Sequence, residues 1–383
     1  MRILIAPDSF KESLPARAAA RAMERGIRRV APDAECILLP MADGGEGMVD
    51  VILHAVSGRK IAARASGPLG RRLRATYGWL ADDRTAIIET AAASGLMRVP
   101  KARRNPLHAS SYGTGELIAA AIARGAENII IGLGGSATVD GGAGMAQALG
   151  VRFRDRRGRL ITRIASGGML HRIAGIDMDG AHPGIRRTRI IAAADVDNRL
   201  CGRQGAARVF GPQKGATPRM CALLDRNLKH FAGLIKKTLQ QDVTGIRGGG
   251  AAGGLGAGLV AFAHAEVTSG FELVARLVDF ERWAAGADLI FTGEGRIDAQ
   301  TRRGKVVAGV ARMGKALGVP VIAVGGSLAD DAHTLFTAGI DGLASAVARD
   351  QSLAEACRNA AFCVANAAER VMRLINTGGK LKM

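Results

Sequence analysis

The sequence has little that would staple a fold, span a bilayer or stack on bases. Its 383 residues include five cysteines (Cys36, Cys201, Cys221, Cys357 and Cys363), scattered and without a CxxC pair. That argues against a disulfide framework and a structural zinc site, and it leaves the thiols as small hydrophobes in a reducing compartment. The seven histidines form no HxH or HExxH spacing, so the pattern of a zinc enzyme is missing. No apolar run reaches membrane-spanning length. The apolar start, Met1 to Ala6, meets Pro7-Asp8 too early for a signal peptide. The expectation is a cytoplasmic protein without a membrane partner. Aromatic residues are only 4% and do not alternate with basic ones, which removes the stacking platform of a single-strand nucleic-acid binder.

Glycine and positive charge are plentiful. There are 52 glycines, and 53 Lys and Arg against 34 Asp and Glu give a net charge of +19. Arginines cluster at Arg71, Arg72 and Arg74, at Arg103 and Arg104, from Arg152 to Arg159, and at Arg186, Arg187 and Arg189. Such a field draws small anions as readily as it draws nucleic acid. Read as solvated basic faces, the clusters imply no nucleic-acid partner. With 48% hydrophobic and 23% charged residues, the composition is that of a folded α/β protein. The length suggests two domains.

Strand and helix signals alternate at both ends of the chain. Arg2 to Ala6 reads as a buried strand. Pro15 then opens a helix with Ala16, Ala19, Ala20, Met23, Ile27 and Val30 on one face. Glu35 to Leu39 is a second strand. Asp288 to Phe291, Val319 to Val324 and Gly342 to Val347 repeat the rhythm, and a long helix from Leu353 to Ile375 closes it. This predicts a Rossmann- or flavodoxin-like parallel sheet covered on both faces. The middle differs: Arg64 to Leu80 reads as an antiparallel pair turning at Gly67-Pro68-Leu69-Gly70, followed by strands at Ala86, Ile129 and Arg189. The expected organisation is a discontinuous domain, 1–65 plus 286–383, with a mixed-sheet α/β domain inserted at 66–285 and a site in the cleft between them.

Ligands of open parallel sheets bind beyond the carboxyl ends of the strands. At those ends stand Asp8-Ser9-Phe10-Lys11, then Asp43-Gly44-Gly45-Glu46-Gly47, then Thr292-Gly293-Glu294-Gly295-Arg296-Ile297-Asp298. Each joins carboxylates, able to hold Mg²⁺ or accept a proton, to glycines that let backbone approach an anion. Lys11 and Arg296 add positive charge. In the middle of the chain, Ile129 to Ile131 leads into Gly132-Leu133-Gly134-Gly135-Ser136-Ala137-Thr138, then Asp140-Gly141-Gly142 and an Ala-rich helix, an arrangement suited to an anion. The same run loosely fits a GxGxxA dinucleotide fingerprint, with Asp155 in range. Asp195 ends a further strand and suits proton acceptance, a Mg²⁺ contact, or a helix cap or turn, and Lys214 sits in the turn Phe210–Gly215. The Walker-like string Gly309 to Lys315 lacks the Ser or Thr that should follow and falls within a predicted helix, which marks it as a decoy. Gly248 to Gly258 reads as flexible or closely packed.

Taken together the strings APDSFKES, ADGGEG, GTGELI, GGSATVDGGAGM, FGPQKGA and TGEGRID, in that order, resemble the bacterial glycerate kinase family. The likeness runs from about residue 1 to 375. The resemblance implies a two-domain α/β kinase that uses ATP and Mg²⁺ on D-glycerate, favouring the 2-hydroxyl. The positions that match the family are Asp8, Ser9, Lys11, Asp43, Glu46, Ser136, Asp195, Lys214, Glu294, Arg296 and Asp298. The expected roles are Asp195 or Asp43 as base, with Arg296 and Lys11 beside them; Asp8, Ser9 and Lys214 on substrate; Gly134, Gly135, Ser136 and Thr138 on nucleotide; and Asp298 and Glu294 on metal. A homodimer is compatible with this reading. Two departures stand out: Val139 replaces the usual Asn before Asp-Gly-Gly, and Asp195-Val196-Asp197-Asn198-Arg199 replaces Asp-Val-Thr-Asn-Pro. The rivals are a dinucleotide-dependent oxidoreductase of a small hydroxy acid and a basic nucleic-acid-binding protein.

Overall fold

The computed structural model describes residues 1–302 and 306–378. In chain order the strands are β1 Arg2–Ile5, β2 Glu35–Leu38, β3 Arg59–Ser66, β4 Arg72–Leu80, β5 Thr85–Glu89, β6 Asn128–Gly132, β7 Arg152–Arg154, β8 Gly175–Asp177, β9 Arg189–Ala193, β10 Glu266–Thr268, β11 Leu289–Ile297, β12 Val321–Leu328 and β13 Gly342–Ser345. The chain divides into two compact units. One is Met1–Asp43 with Asp50–Val56 and Phe271–Met383; the other is Gly44–Val49 with Ser57–Gly270. Each is built of helices and a sheet, so the architecture is α/β.

In the first unit, Ile3, Leu4 and Ile5 of β1 are sealed from solvent, as a parallel strand covered on both faces requires. The sheet order is β2-β1-β11-β12-β13, and every neighbouring pair is parallel. The helix Ala16–Arg28 buries Ala16, Ala19, Ala20, Met23 and Ile27 on one side, the stripe that a 3.6-residue period produces. Val30 falls beyond the helix end and is half-buried. Gly26 lets this helix lie against Ala360–Gly378: a Cβ there would stand 1.9 Å from the Ala365 carbonyl oxygen. Ile3, Ile5, Met23, Ile27, Phe291 and Met372 share one core, and each such side chain contributes about 1.5–3 kcal/mol by leaving water.

Three elements of this unit depart from the sequence reading. The strands expected to stop at Phe291 and Val324 run on to Ile297 and Leu328, with Glu294 paired to Gly325 and Arg296 to Ser327. Glycines on both strands permit it: a Cβ at Gly293 would meet the Val324 oxygen at 2.2 Å, and one at Gly326 would meet the Gly295 oxygen at 2.4 Å. The closing helix breaks at Asn359 into Leu353–Arg358 and Ala360–Gly378.

The second unit has a mixed sheet of order β10-β9-β6-β5-β4-β3. The β3–β4 and β4–β5 pairs are antiparallel and the rest are parallel. β3 pairs along its whole length with β4, which is why Arg59–Ser66 sits in this unit although the sequence reading begins the insert at 66. One core lies around Ile88, Ile129, Ile131, Leu117 and Leu255. A second gathers Phe153, Phe231 and Phe262, with Phe153 edge-on to the other two at 5.8 and 6.2 Å, a geometry that suits ring quadrupoles. The 22-residue helix Pro218–Leu239 supplies Leu224, Leu228, Phe231 and Ile235 to that core, and the Thr217 hydroxyl accepts a hydrogen bond from the Met220 amide at its start. Such a cap contributes about 1 kcal/mol.

Candidate active site

In the first unit the chemistry gathers where β1 and β11 end. The Asp8 amide donates to the Gly293 carbonyl at 2.8 Å, which ties the loop after β1 to the motif on β11. The Asp8 side chain is buried and accepts from the Ser9 amide at 2.6 Å. Burial pushes its carboxyl well above the ordinary carboxylate range, and the charges of Asp43 and Glu294 push the same way; the Ser9 amide and the Lys11 ammonium oppose them. The buried Glu294 takes a hydrogen bond from the Thr301 hydroxyl at 2.6 Å. That hydroxyl also accepts from the Asp298 amide at 3.2 Å, so one fully buried threonine links the two carboxylate-bearing residues. Arg296 is exposed, with Nε 3.5 Å from Asp298 Oδ2.

In the second unit the two glycine runs read separately from the sequence touch each other. The Gly134 amide donates to the Gly44 carbonyl, and a Cβ at Gly134 would stand 2.4 Å from the Gly45 Cα. Only glycine allows that approach. Glu89 anchors the turn from the other side, accepting from the amides of Gly47 and Val49 at 3.1 and 2.8 Å. Glu46 is exposed, and its Oε1 lies 2.6 Å from the point a Cβ on Gly135 would occupy.

Beyond Gly135 the loop closes over a buried cation. Lys214 Nζ donates to Ser136 Oγ and to the Thr138 carbonyl, both at 2.8 Å. The lysine is only 3% exposed, and burial lowers its pKa to about 7, against the pull of the Asp140 charge. Asp140 is fully buried. It accepts from the Ser111 amide and hydroxyl at 2.8 Å, and from the amides of Gly142 and Gly144 at 3.3 Å. Burial raises its carboxyl while those four donors hold it down. The amides expected to await an anion at the start of the helix Ala143–Ala148 therefore already serve the protein's own aspartate. Thr138 is buried too, its hydroxyl given to the Ala252 carbonyl at 3.2 Å, so it meets its surroundings through its backbone.

The remaining positions separate by environment. Asp195 is half-buried, and its Oδ1 accepts from the Gly270 amide at 3.0 Å, at the first residue of the helix Gly270–Leu277. Asp197 is exposed and paired with Arg247 at 2.9 Å. Val139 lies in the apolar core with Leu224 and Leu228, so the hydrophobic residue at this position has an apolar setting. Asp155 sits in an exposed turn, paired with Arg159 at 2.8 Å. Gly309 and Lys315 both fall within the helix Val306–Leu317, which agrees with the decoy reading. Thr301, Ser111 and Glu89 carry no motif signal in the sequence: Thr301 is an ordinary loop threonine, and the partners of Ser111 and Glu89 lie in other segments. Asp140, within DGG, offered a visible signal.

The model of the family described as "Glycerate kinase family" matches residues 3–376. A protein named "Glycerate kinase" from Halalkalibacterium halodurans is 50% identical over 369 residues, 96% of this chain and 97% of that protein. One named "Glycerate 2-kinase" from Escherichia coli is 47% identical over 378 residues, covering 99% of each. A crystal structure from Salmonella typhimurium LT2 matches with a TM-score of 0.83 and 47% identity over all of both chains. The buried lysine and the carboxylate-bearing glycine turns described above thus belong to a chain that is a member of the glycerate kinase family.

Proposed function

We propose that this chain is a glycerate kinase that transfers the γ-phosphoryl group of ATP to the 2-hydroxyl of D-glycerate in the cytoplasm. The observation that carries the reading is the full-length relationship to proteins named as glycerate kinases; the 47% identity to one named "Glycerate 2-kinase" supports the choice of hydroxyl. The sheet order β2-β1-β11-β12-β13 supports a flavodoxin-like first unit. In that topology ligands bind where the winding reverses, here between β1 and β11, and Asp8 and Glu294 stand at those two strands.

Phosphoryl transfer asks the protein for alignment and charge stabilisation more than for covalent chemistry. In the proposed reaction Asp195 takes or orients the proton of the glycerate hydroxyl, with Asp43 as the second choice. Lys11 and Arg296 neutralise phosphate charge, and Lys214 the negative charge of the bound ligands. Asp8 and Ser9 hold substrate. Gly134, Gly135 and Ser136 line the nucleotide phosphates, with Thr138 contributing its backbone. Among the described residues no three His, Cys, Asp or Glu side chains gather to hold a metal. Glu294 and Asp298 fit a Mg²⁺ that arrives on the nucleotide, since that ion needs only one or two protein carboxylates beside phosphate oxygens. When bound it would supply charge neutralisation. The reading requires residues of both units to serve one reaction.

Phosphorus NMR of the product formed from ATP and D-glycerate tests this directly. The expected result is ADP with 2-phosphoglycerate. A 3-phosphoglycerate signal would overturn the choice of hydroxyl, and no glycerate-dependent ADP would overturn the kinase.

A further inference from the structure

The contact between Lys214 and Ser136 fixes the direction of a hydrogen bond. An ammonium only donates, whereas a serine hydroxyl carries one proton and two lone pairs. At 2.8 Å the serine must therefore be the acceptor, and its own proton points elsewhere. Among the described residues no protein group accepts that proton. Ser136 is 5% exposed, so its donor is nearly desolvated, where a hydrogen bond to an anion is strongest. Lys214 is held in place by its second bond, to the Thr138 carbonyl. Its side chain also lines a small pocket with Leu96, Val99, Arg104, Asn105 and Ala137.

We propose that Lys214 is a positioning residue that makes Ser136 a dedicated hydrogen-bond donor to an anionic oxygen of a bound ligand, with Asp140 holding the lysine in its charged form. The arrangement is reversible. A neutral amine has a lone pair beside its two N–H bonds, so on losing its proton Lys214 can accept from Ser136 while still donating to Thr138, and the serine is no longer held as an outward donor. With the lysine pKa lowered to about 7, this reversal falls within the working range of a cytoplasmic enzyme. The charge that bears on the ammonium is that of Asp140, which favours the cation; Arg104 lines the same small pocket but turns its guanidinium to the Val99 carbonyl and the Met97 sulfur.

The inference rests on the kinase reading and has separate points of failure. Wild-type kcat/KM with ATP and D-glycerate, which reports ionisations of the free enzyme, should fall as pH rises through neutrality. Asp140→Asn removes the supporting charge and should move that fall to lower pH, a shift that a purely structural aspartate would not cause. Ser136→Ala should lower kcat/KM by roughly tenfold to a hundredfold. A rise in KM for D-glycerate alone would assign the anionic oxygen to the substrate carboxylate, and a rise for ATP alone to a phosphate. Thermal unfolding establishes that each variant folds, and Ser136→Ala together with the wild-type profile carries the test if Asp140→Asn does not. An active wild type without the alkaline fall, or full activity in Ser136→Ala, would overturn the inference while leaving the kinase intact.

Discussion

At the scale of single residues, burial decides what each polar group can do. Asp195 is the sharpest case, because the carboxylate proposed as base also receives the first amide of the helix Gly270–Leu277. An amide oxygen keeps that contact, so Asp195→Asn separates the two roles. The expected outcome is a near-unchanged melting temperature with kcat lowered about 10²–10⁴-fold, the usual reach of general base catalysis. Near-normal turnover would remove Asp195 as the base and pass the role to Asp43. Motif strings made the acidic and basic positions legible in the sequence. Their supports were not: Thr301 links Glu294 to Asp298 across a short loop, and Ser111 reaches Asp140 from 29 positions away. Ser and Thr are too common, and their partners too distant, for spacing to single them out.

At the scale of elements, glycine sets how closely segments approach. The run Gly248–Gly258, flexible or closely packed by composition alone, is closely packed in the structure. Ala252, Gly253 and Gly254 take left-handed conformations inside the helix Ala251–Ala263, and a Cβ on Gly253 would stand 1.8 Å from the Thr138 carbonyl. That carbonyl is the one that holds Lys214, so the run backs the loop that positions the cation. Gly253→Ala meets both a φ of 72° and this contact. It should cost at least about 1–3 kcal/mol, read as a fall in the urea midpoint, and should weaken activity as the Ser136–Thr138 segment shifts. An unchanged midpoint would show that the close approach is not required. Helix and strand periods were legible from sequence because apolar residues recur at fixed spacing, as in Ala16–Arg28. The extension of β11 through Glu294 and Arg296 was not, since glycine and charge in a strand imitate a loop until the facing glycines of β12 are known.

At the scale of the whole molecule, the residues with proposed roles fall in both units. The first holds Asp8, Asp43, Glu294 and Asp298; the second holds Ser136, Asp195 and Lys214. The net charge of +19 gives anionic substrates a favourable field for encounter, though the individual arginine clusters have no assigned ligand. A four-way comparison of wild type, Glu294→Gln, Lys214→Met and the double variant, followed as glycerate-dependent ADP release, tests whether the two sets serve one reaction. Residues that act as a unit are strongly non-additive. The account predicts that each single change lowers kcat by at least about 10²-fold in folded protein, and that the double variant falls little below the worse single. Wild-type turnover in either single variant would contradict it.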